Sequence, residues 1–334
     1  MADTPAMTAP TAATHAPTHA HAPVPGADRP QPDATGLDGL GPEARLVVIG
    51  CGYSASAFLA LSVAAGLGGA VATTRHAGRF AEIRALGAEP IAFDGSAPVP
   101  ALAEAIRRAT HLVVSAPPDG EGDPLLRQHA DDIAAAKDLA WIGYYSTIGV
   151  YGDHDGGWID ESAPLAATSE RGGRRIETEA DWLGLGGRIG VPVTVLRLAG
   201  IYGPGRNGLK NLAEGTAKRV IKPGQVFNRI HVDDIAAATQ LAAVQRAGGM
   251  FNLCDDEPAP PQDVVSYAAG LMGIAPPPEV PFDEAEMTPM ARSFYSDNKR
   301  VSNRAVKEKL GFTFRYPTYR PALDDLWTSG RWRG

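Results

Sequence analysis

The sequence predicts an α/β protein, a doubly wound parallel sheet followed by a smaller C-terminal lobe. Short apolar runs alternate with Ala-rich segments of helical spacing from Arg45 onward. A glycine turn joins the first run to the first such segment, and the alternation fades after Gly200. Strands of about 5–6 residues separated by helices of about 10–15 imply a parallel sheet covered on both faces, because each parallel connection needs a crossover.

The first buried strand is R-L-V-V-I (45–49). A-V-A-T-T (70–74), P-I-A-F-D (90–94), H-L-V-V-S (111–115), A-W-I-G-Y-Y (140–145) and V-T-V-L-R-L (193–198) follow it. Ala and Leu recur at helical spacing in 56–65, 101–109 and 125–137, between these runs. M-F-N-L-C (250–254) adds one more strand; prolines then crowd 258–281, and Pro317 and Pro321 punctuate a final aromatic segment. The expected division is a first domain over 43–200, regained by the chain at about 228–256, and a lobe made mainly of 201–334.

Residues 1–42 repeat Ala, Pro, Thr and His with almost no large apolar side chains. Such a stretch buries too little surface to offset its ordering entropy and is expected to be disordered. It has no basic n-region and no apolar h-region, so it does not read as a secretory signal. His15, His19 and His21 have no supporting carboxylate or thiolate, so no metal site is expected there. Two cysteines, Cys51 and Cys254, exclude a disulfide framework and favour a reducing compartment, the cytoplasm. A net charge of −7 argues against a nucleic-acid footprint, and no run approaches the roughly 18 apolar residues of a membrane helix.

Chemistry enters at V-V-I-G-C-G-Y-S-A (47–55). Gly50 permits a tight turn after the strand, Gly52 lets a diphosphate approach the backbone, and small Ala55 allows close helix–strand packing. Tyr53, Ser54 and Ala55 open the helix, whose free N–H groups complete an anion cradle. These features specify a Rossmann-type dinucleotide site. An NAD-specific site would carry Asp or Glu about 20 residues past the glycines. Arg75 stands in that place, so NADP is preferred and NAD is the alternative. Asp94, ending the third strand, is placed to accept from an adenine amino group. Ser115, Ala116 and Pro117, after the fourth, form the small rigid loop expected beside a cofactor.

Four further stretches are S-T-I-G-V-Y-G (146–152), L-R-L-A-G-I-Y-G-P-G-R (196–206), R-I-H-V-D-D-I-A (229–236) and F-N-L-C-D-D-E-P (251–258). In order and spacing they resemble the extended short-chain dehydrogenase/reductase superfamily, in its NAD-dependent epimerase/dehydratase group, over residues 45–260, about two thirds of the chain. S-D-N-K-R-V-S-N (296–303), L-G-F (310–312) and Y-P-T-Y-R (316–320) resemble an atypical bacterial subgroup. The resemblance implies a bonding hydroxyl at Thr147, then Tyr-x-x-x-Lys on the next helix, with the tyrosine as general acid/base and the lysine holding the nicotinamide ribose. It also implies a glutamate eight residues after the tyrosine. Setting that glutamate on Glu179 places the pair on Arg171 and Arg175, inside S-E-R-G-G-R-R-I-E-T-E (169–179).

Arginine stays protonated to above about pH 12 and only donates, so Arg171 exchanges no proton with a substrate alcohol. Arg175 retains the ability to bond ribose hydroxyls, and Arg171 the ability to clamp a carboxylate or phosphate; a plain solvated helix face is the competing reading. Gly172 and Gly173 suggest a close backbone approach. By analogy Tyr202 approaches the nicotinamide and Arg229 contacts substrate, while His231, Asp233 and Asp234 stabilise their loop, the aspartates as helix caps.

The resulting expectation is an NAD(P)-dependent oxidoreductase or epimerase-like protein with an atypical active site. It would transfer a hydride on a sugar nucleotide or other anionic small molecule. The alternative is a weak or inactive NAD(P)-binding sensor or interaction protein. Implied partners are a small-molecule substrate and a second copy in a homodimer, with no nucleic acid, membrane or metal.

Overall fold

The computed structural model describes residues 38–334; the three tail histidines and most of the stretch expected to be disordered lie outside them. In chain order the strands are β1 Arg45–Ile49, β2 Gly69–Thr74, β3 Glu89–Ala92, β4 His111–Val114, β5 Trp141–Thr147, β6 Trp158–Ile159 and β7 Val193–Leu198. They continue with β8 Gly200–Tyr202, β9 Arg219–Ile221, β10 Arg229–His231, β11 Gly249–Leu253, β12 Glu279–Pro281 and β13 Arg300–Val301. The helices are α1 Tyr53–Ala64, α2 Phe80–Ala85, α3 Pro100–Arg107, α4 Pro124–Ala134, α5 Glu170–Ile189 and α6 Gly208–Ala213. Then come α7 Val232–Gln245, α8 Pro261–Leu271, α9 Pro289–Ser293, α10 Arg304–Leu310 and α11 Tyr319–Ser329.

Seven strands form one parallel sheet in the order β11-β7-β5-β4-β1-β2-β3, so the chain reverses its direction of travel between β1 and β4. Ligands of open α/β sheets bind at that switch point, beyond the carboxyl ends of the strands. Side-chain alternation divides each strand between two cores. Leu46, Val48 and Tyr145 pack with Phe58 of α1 and Ala238 of α7. Val47, Ile49 and Tyr144 pack with Leu102 of α3, Leu125 of α4 and Trp182 of α5. The strand runs legible in the sequence all lie in this sheet.

The region after Gly200 is more regular than expected. Three parallel two-stranded ladders, β8–β10, β9–β12 and β6–β13, lie outside the main sheet, and α8 and α11 bury a further core of Tyr202, Leu209, Ala268, Tyr319 and Leu326. Strands of two or three residues carry no readable periodicity, which is why the sequence did not reveal them.

α5 forms despite its two early glycines. Ser169 caps it by accepting from the Gly172 amide at 3.1 Å, and Gly190 ends it in the left-handed conformation. A Cβ on Gly172 would lie 2.7 Å from that of Ala167, so the predicted close approach holds there; Gly173 meets nothing within 4 Å. The helix is fastened to the sheet by a buried ion pair between Arg197 on β7 and Glu179 on α5, 2.6 Å apart. Glu179 also accepts from Ser146, while Arg197 donates to the Tyr151 hydroxyl at 2.8 Å, which in turn donates to Asn252 at 2.8 Å.

The loop-stabilising role of R-I-H-V-D-D-I-A is divided differently from expectation. His231 caps α7 by accepting from the Asp233 amide at 3.2 Å, and Asp234 accepts instead from the amides of Arg315 and Tyr316 at 2.7 and 3.1 Å. The imidazole already takes the Asp233 amide, and the Asp234 carboxylate reaches across to the C-terminal segment.

Removing Glu179 strands a buried guanidinium. Glu179→Ala is expected to cost about 3–5 kcal/mol in urea unfolding, whereas exposed pairs such as Arg108–Glu104 should cost under about 1 kcal/mol. A pH dependence also follows. Burial pushes the carboxyls of Asp255 and Asp234 up to about 8 and about 7, and pushes His111 and His231 down to about 4. The raised carboxyls stabilise the fold at low pH and lose that contribution as pH climbs towards their folded values; the histidines act oppositely as pH falls below about 6.5. Between about 6.5 and 8 only the carboxyls act, so Tm should fall across that window, and Asp255→Asn should flatten the decline in a thermal melt series.

Candidate functional site

The glycine turn sits at the switch point. Gly50 has φ +79°, and a Cβ there would come within 2.8 Å of the Ala116 amide nitrogen, so the turn and the Ser115–Pro117 loop touch backbone to backbone. Ser115 and Ala116 amides both donate to the Ile49 carbonyl, at 2.8 and 3.0 Å. The end of β2 secures the other side, since the Gly50 amide donates to the Thr73 hydroxyl at 2.9 Å. A Cβ on Gly52 would meet only the Gly50 carbonyl, at 3.9 Å, so the space before the helix is open, and no side chain caps α1. An unobstructed turn with uncapped amides fits a diphosphate, and the residues present fit a dinucleotide.

Two contacts at this turn were not foreseen. Arg79 donates to the Cys51 carbonyl at 2.5 Å while pairing with Glu82. Tyr53, from the first position of α1, donates to the Pro204 carbonyl at 2.9 Å, tying the turn to the loop after β8. Burial pushes the Tyr53 hydroxyl up to about 12, so it remains a donor. Towards the outer end of the turn, Arg75 follows β2 and is exposed, and Asp94 is exposed, accepting from the amide and hydroxyl of Ser96. Cys51 is buried and its thiol is pushed up by that burial, consistent with a filler.

Beside the carboxyl ends of β5, β7 and β8 and the amino end of β10 lies a cavity of about 800 Å³ that brings Thr147, Tyr202 and Arg229 together. Thr147 accepts from the Gly149 amide at 3.1 Å, which leaves its hydroxyl proton to donate into the cavity. Tyr202 is buried against His231, ring centroids 5.3 Å apart, and its hydroxyl has no partner among the described residues. Arg229 donates through Nη1 to the carbonyls of Phe227 and Ala259, at 2.9 and 3.0 Å.

The arginine pair of α5 stands apart from that lining. Arg175 donates to the Tyr144 hydroxyl at 3.0 Å and to the Tyr145 carbonyl, with its guanidinium 5.5 Å from the Tyr144 ring centroid. Tyr144 in turn stacks on Trp182, which donates to Asp123, the cap of α4. Arg171 is exposed, 5.8 Å from the ring centroid of Phe294 at the cavity wall.

Lining residues that sequence reasoning had not singled out come from far downstream. Lys299 donates to the Gly152 carbonyl and pairs with Asp297 at 3.1 Å, and Tyr319 closes the inner wall. Both lie in the stretches, S-D-N-K-R and Y-P-T-Y-R, that had marked the atypical subgroup; their signal was motif identity, with nothing to indicate a shared site. Among the described residues no helix is long and apolar enough to cross a membrane, and no group of three or more His, Cys, Asp or Glu is placed to hold a metal ion.

No family model matches the chain. It is 31% identical over 222 residues to Protein YeeZ of Escherichia coli K12, a match covering 64% of this chain and 74% of that protein. Among solved structures it is similar to a functionally unknown conserved protein from Silicibacter pomeroyi DSS, with 46% identity, a TM-score of 0.78, and 85% of this chain and 98% of that one covered. A UDP-glucuronic acid 4-epimerase from Bacillus cereus, in complex with NAD, matches at 17% identity and a TM-score of 0.65 over 85% of this chain and 97% of that one, a likeness of fold. The chain belongs to one family with YeeZ, and its fold is that of solved structures named as NAD-dependent epimerases and dehydratases.

Proposed function

We propose that the protein is an NAD(P)-dependent oxidoreductase that exchanges a hydride with a carbinol or carbonyl carbon of an anionic small molecule, sugar nucleotides being one such class. The observation that carries this reading is the open, uncapped glycine turn at the switch point of the sheet, tied through Tyr53 to the loop that lines the cavity. The bound NAD of the Bacillus cereus epimerase supports it. When bound, the nicotinamide supplies or accepts the hydride. Gly50, Gly52 and the amides of Tyr53, Ser54 and Ala55 would hold the diphosphate, with Ser115, Ala116 and Pro117 against the cofactor and Asp94 near the adenine. Thr147 would donate to the reacting oxygen, while Tyr202 and Arg229 would contact substrate. A homodimer in the cytoplasm, without nucleic acid, completes the reading; the net charge of −7 accords with the last point.

NADP is the preferred cofactor because Arg75 is exposed after β2, where a 2′-phosphate would sit. Arg175, bonded to Tyr144 and Tyr145, would act on the nicotinamide side as a fixed positive charge. Arg171, exposed at the rim, would meet an anionic group. A second reading, a dinucleotide-binding sensor, is favoured by these same two arginines: neither can exchange a proton, and positioned proton transfer is worth about 10²–10⁴-fold in rate.

Fluorescence titration should find NADPH bound more tightly than NADH. Arg75→Ala should weaken NADPH by about tenfold or more, the worth of a charge-assisted contact, and leave NADH unchanged. Gly52→Asp should abolish binding of both, and undiminished affinity in that variant would refute the reading. The double change Arg171→Tyr with Arg175→Lys separates enzyme from sensor in a turnover assay: activity gained marks a decayed enzyme, and activity lost shows that the arginines take part.

A further inference from the structure

The polar groups of the cavity are unevenly distributed. Its walls are largely apolar, formed by side chains that include Leu198, Val226, Phe227, Val264, Phe294 and Leu323. Two of the amides that line it are already engaged. Asn207 donates to the carbonyls of Gly203 and Trp332 and accepts from the Lys210 amide, and Asn228 donates to the Lys299 carbonyl and accepts from the Val301 amide. Lys299 and Asp297 neutralise each other, and Asp297 accepts as well from Thr168 at 2.7 Å. Arg206 is exposed, 6.0 Å from the Tyr53 ring centroid.

Arg229 is different. It is largely buried, it makes no ion pair among the described residues, and both hydrogens of Nη1 are taken by backbone carbonyls. The Nε–Nη2 edge, the side of the fork that grips a carboxylate with two parallel bonds, has no protein acceptor among those residues. Three more polar atoms without partners belong to its surroundings, the hydroxyls of Tyr202 and Tyr319 and Oδ2 of Asp255. The guanidinium lies 6.0 Å from the Tyr319 ring centroid, and the Asp255 amide donates to the Arg229 carbonyl at 2.7 Å. Burial pushes the Asp255 carboxyl up, and it makes no ion pair with Arg229 among the described residues. Buried cations are normally paired, so an unpaired guanidinium edge in the lining of an apolar cavity marks the place of a ligand's polar group.

We propose that the cavity binds a carboxylic acid with an apolar body, its carboxylate taken side-on by the Nε–Nη2 edge of Arg229 near the Tyr202 and Tyr319 hydroxyls. The body would extend across the apolar walls towards Thr147. A nucleoside diphosphate fits this corner poorly. Its second charge would have to reach Arg206, exposed beside Tyr53, and its ribose hydroxyls would face hydrocarbon or amides already bonded. This inference rests on the reading of the cavity as the substrate site.

The test is calorimetric titration of the full chain with 3-phenylpropanoate, 4-phenylbutanoate and decanoate, with their primary amides, and with UDP-glucose. At least one acid should bind with sub-millimolar Kd and about tenfold or more tighter than its amide, the signature of a charge-assisted contact. Arg229→Met should bring that acid and its amide to within about threefold, with NADPH affinity and circular dichroism unchanged. Should Arg229→Met not fold, Arg229→Lys decides: a point charge in place of the fork should lose the preference severalfold, and an undiminished preference refutes the proposal. Equal binding of acid and amide, no acid binding at all, or UDP-glucose tighter than every acid also overturns it. NADPH is titrated separately, so a wild type that takes the acid but no dinucleotide would refute the oxidoreductase reading while leaving this one standing.

Discussion

The buried pair of Glu179 and Arg197 is the constraint on which the rest of the site depends. An ion pair removed from water recovers its desolvation cost only when the surrounding bonds are satisfied, and here they are. Ser146 from β5, Tyr151 from the turn after it and Asn252 from β11 supply the remaining partners, so five segments meet at one charge pair. Because each partner comes from a different segment, α5 can take only one rotation and one height against the sheet. That placement puts Arg175 against the end of β5 and Arg171 at the rim of the cavity.

The same placement explains how the chain accommodates an arginine where relatives by resemblance carry a lysine. A guanidinium is longer than an ammonium and needs more acceptors, and the end of β5 supplies them in the Tyr145 carbonyl and the Tyr144 hydroxyl. Tyr144 is itself held by Trp182, and Trp182 by the carboxyl that caps α4. Under the proposed reading the charge is kept and the proton chemistry is removed. The free edge of Arg229 lies elsewhere, in the cavity lining, and the Tyr53–Pro204 bond joins the glycine turn to the loop between the two regions.

Much of the fold was legible because its signals are local. Gly50 and Gly52 follow a strand and open a helix, a context that the turn's backbone geometry requires whatever lies around it. Five-residue apolar runs with intervening helices leave a parallel sheet as the arrangement that buries both faces. The short ladders of the C-terminal region were illegible for the complementary reason: β8, β9, β10 and β12 have three residues each, too few for a period, and are held by partners up to about 60 residues away.

From the sequence alone came the sheet, the glycine turn and the spacing by which the resemblance sets its Tyr-x-x-x-Lys pair on Arg171 and Arg175, all properties of neighbours along the chain. Only the tertiary structure decided that Arg175 faces inward to Tyr144, that Arg229 keeps one edge of its fork unpaired, and that Tyr53 reaches Pro204 across 151 positions. Whether a long polar side chain meets solvent, a carbonyl or a cavity depends on which distant segments pack beside it, and that is settled by folding as a whole.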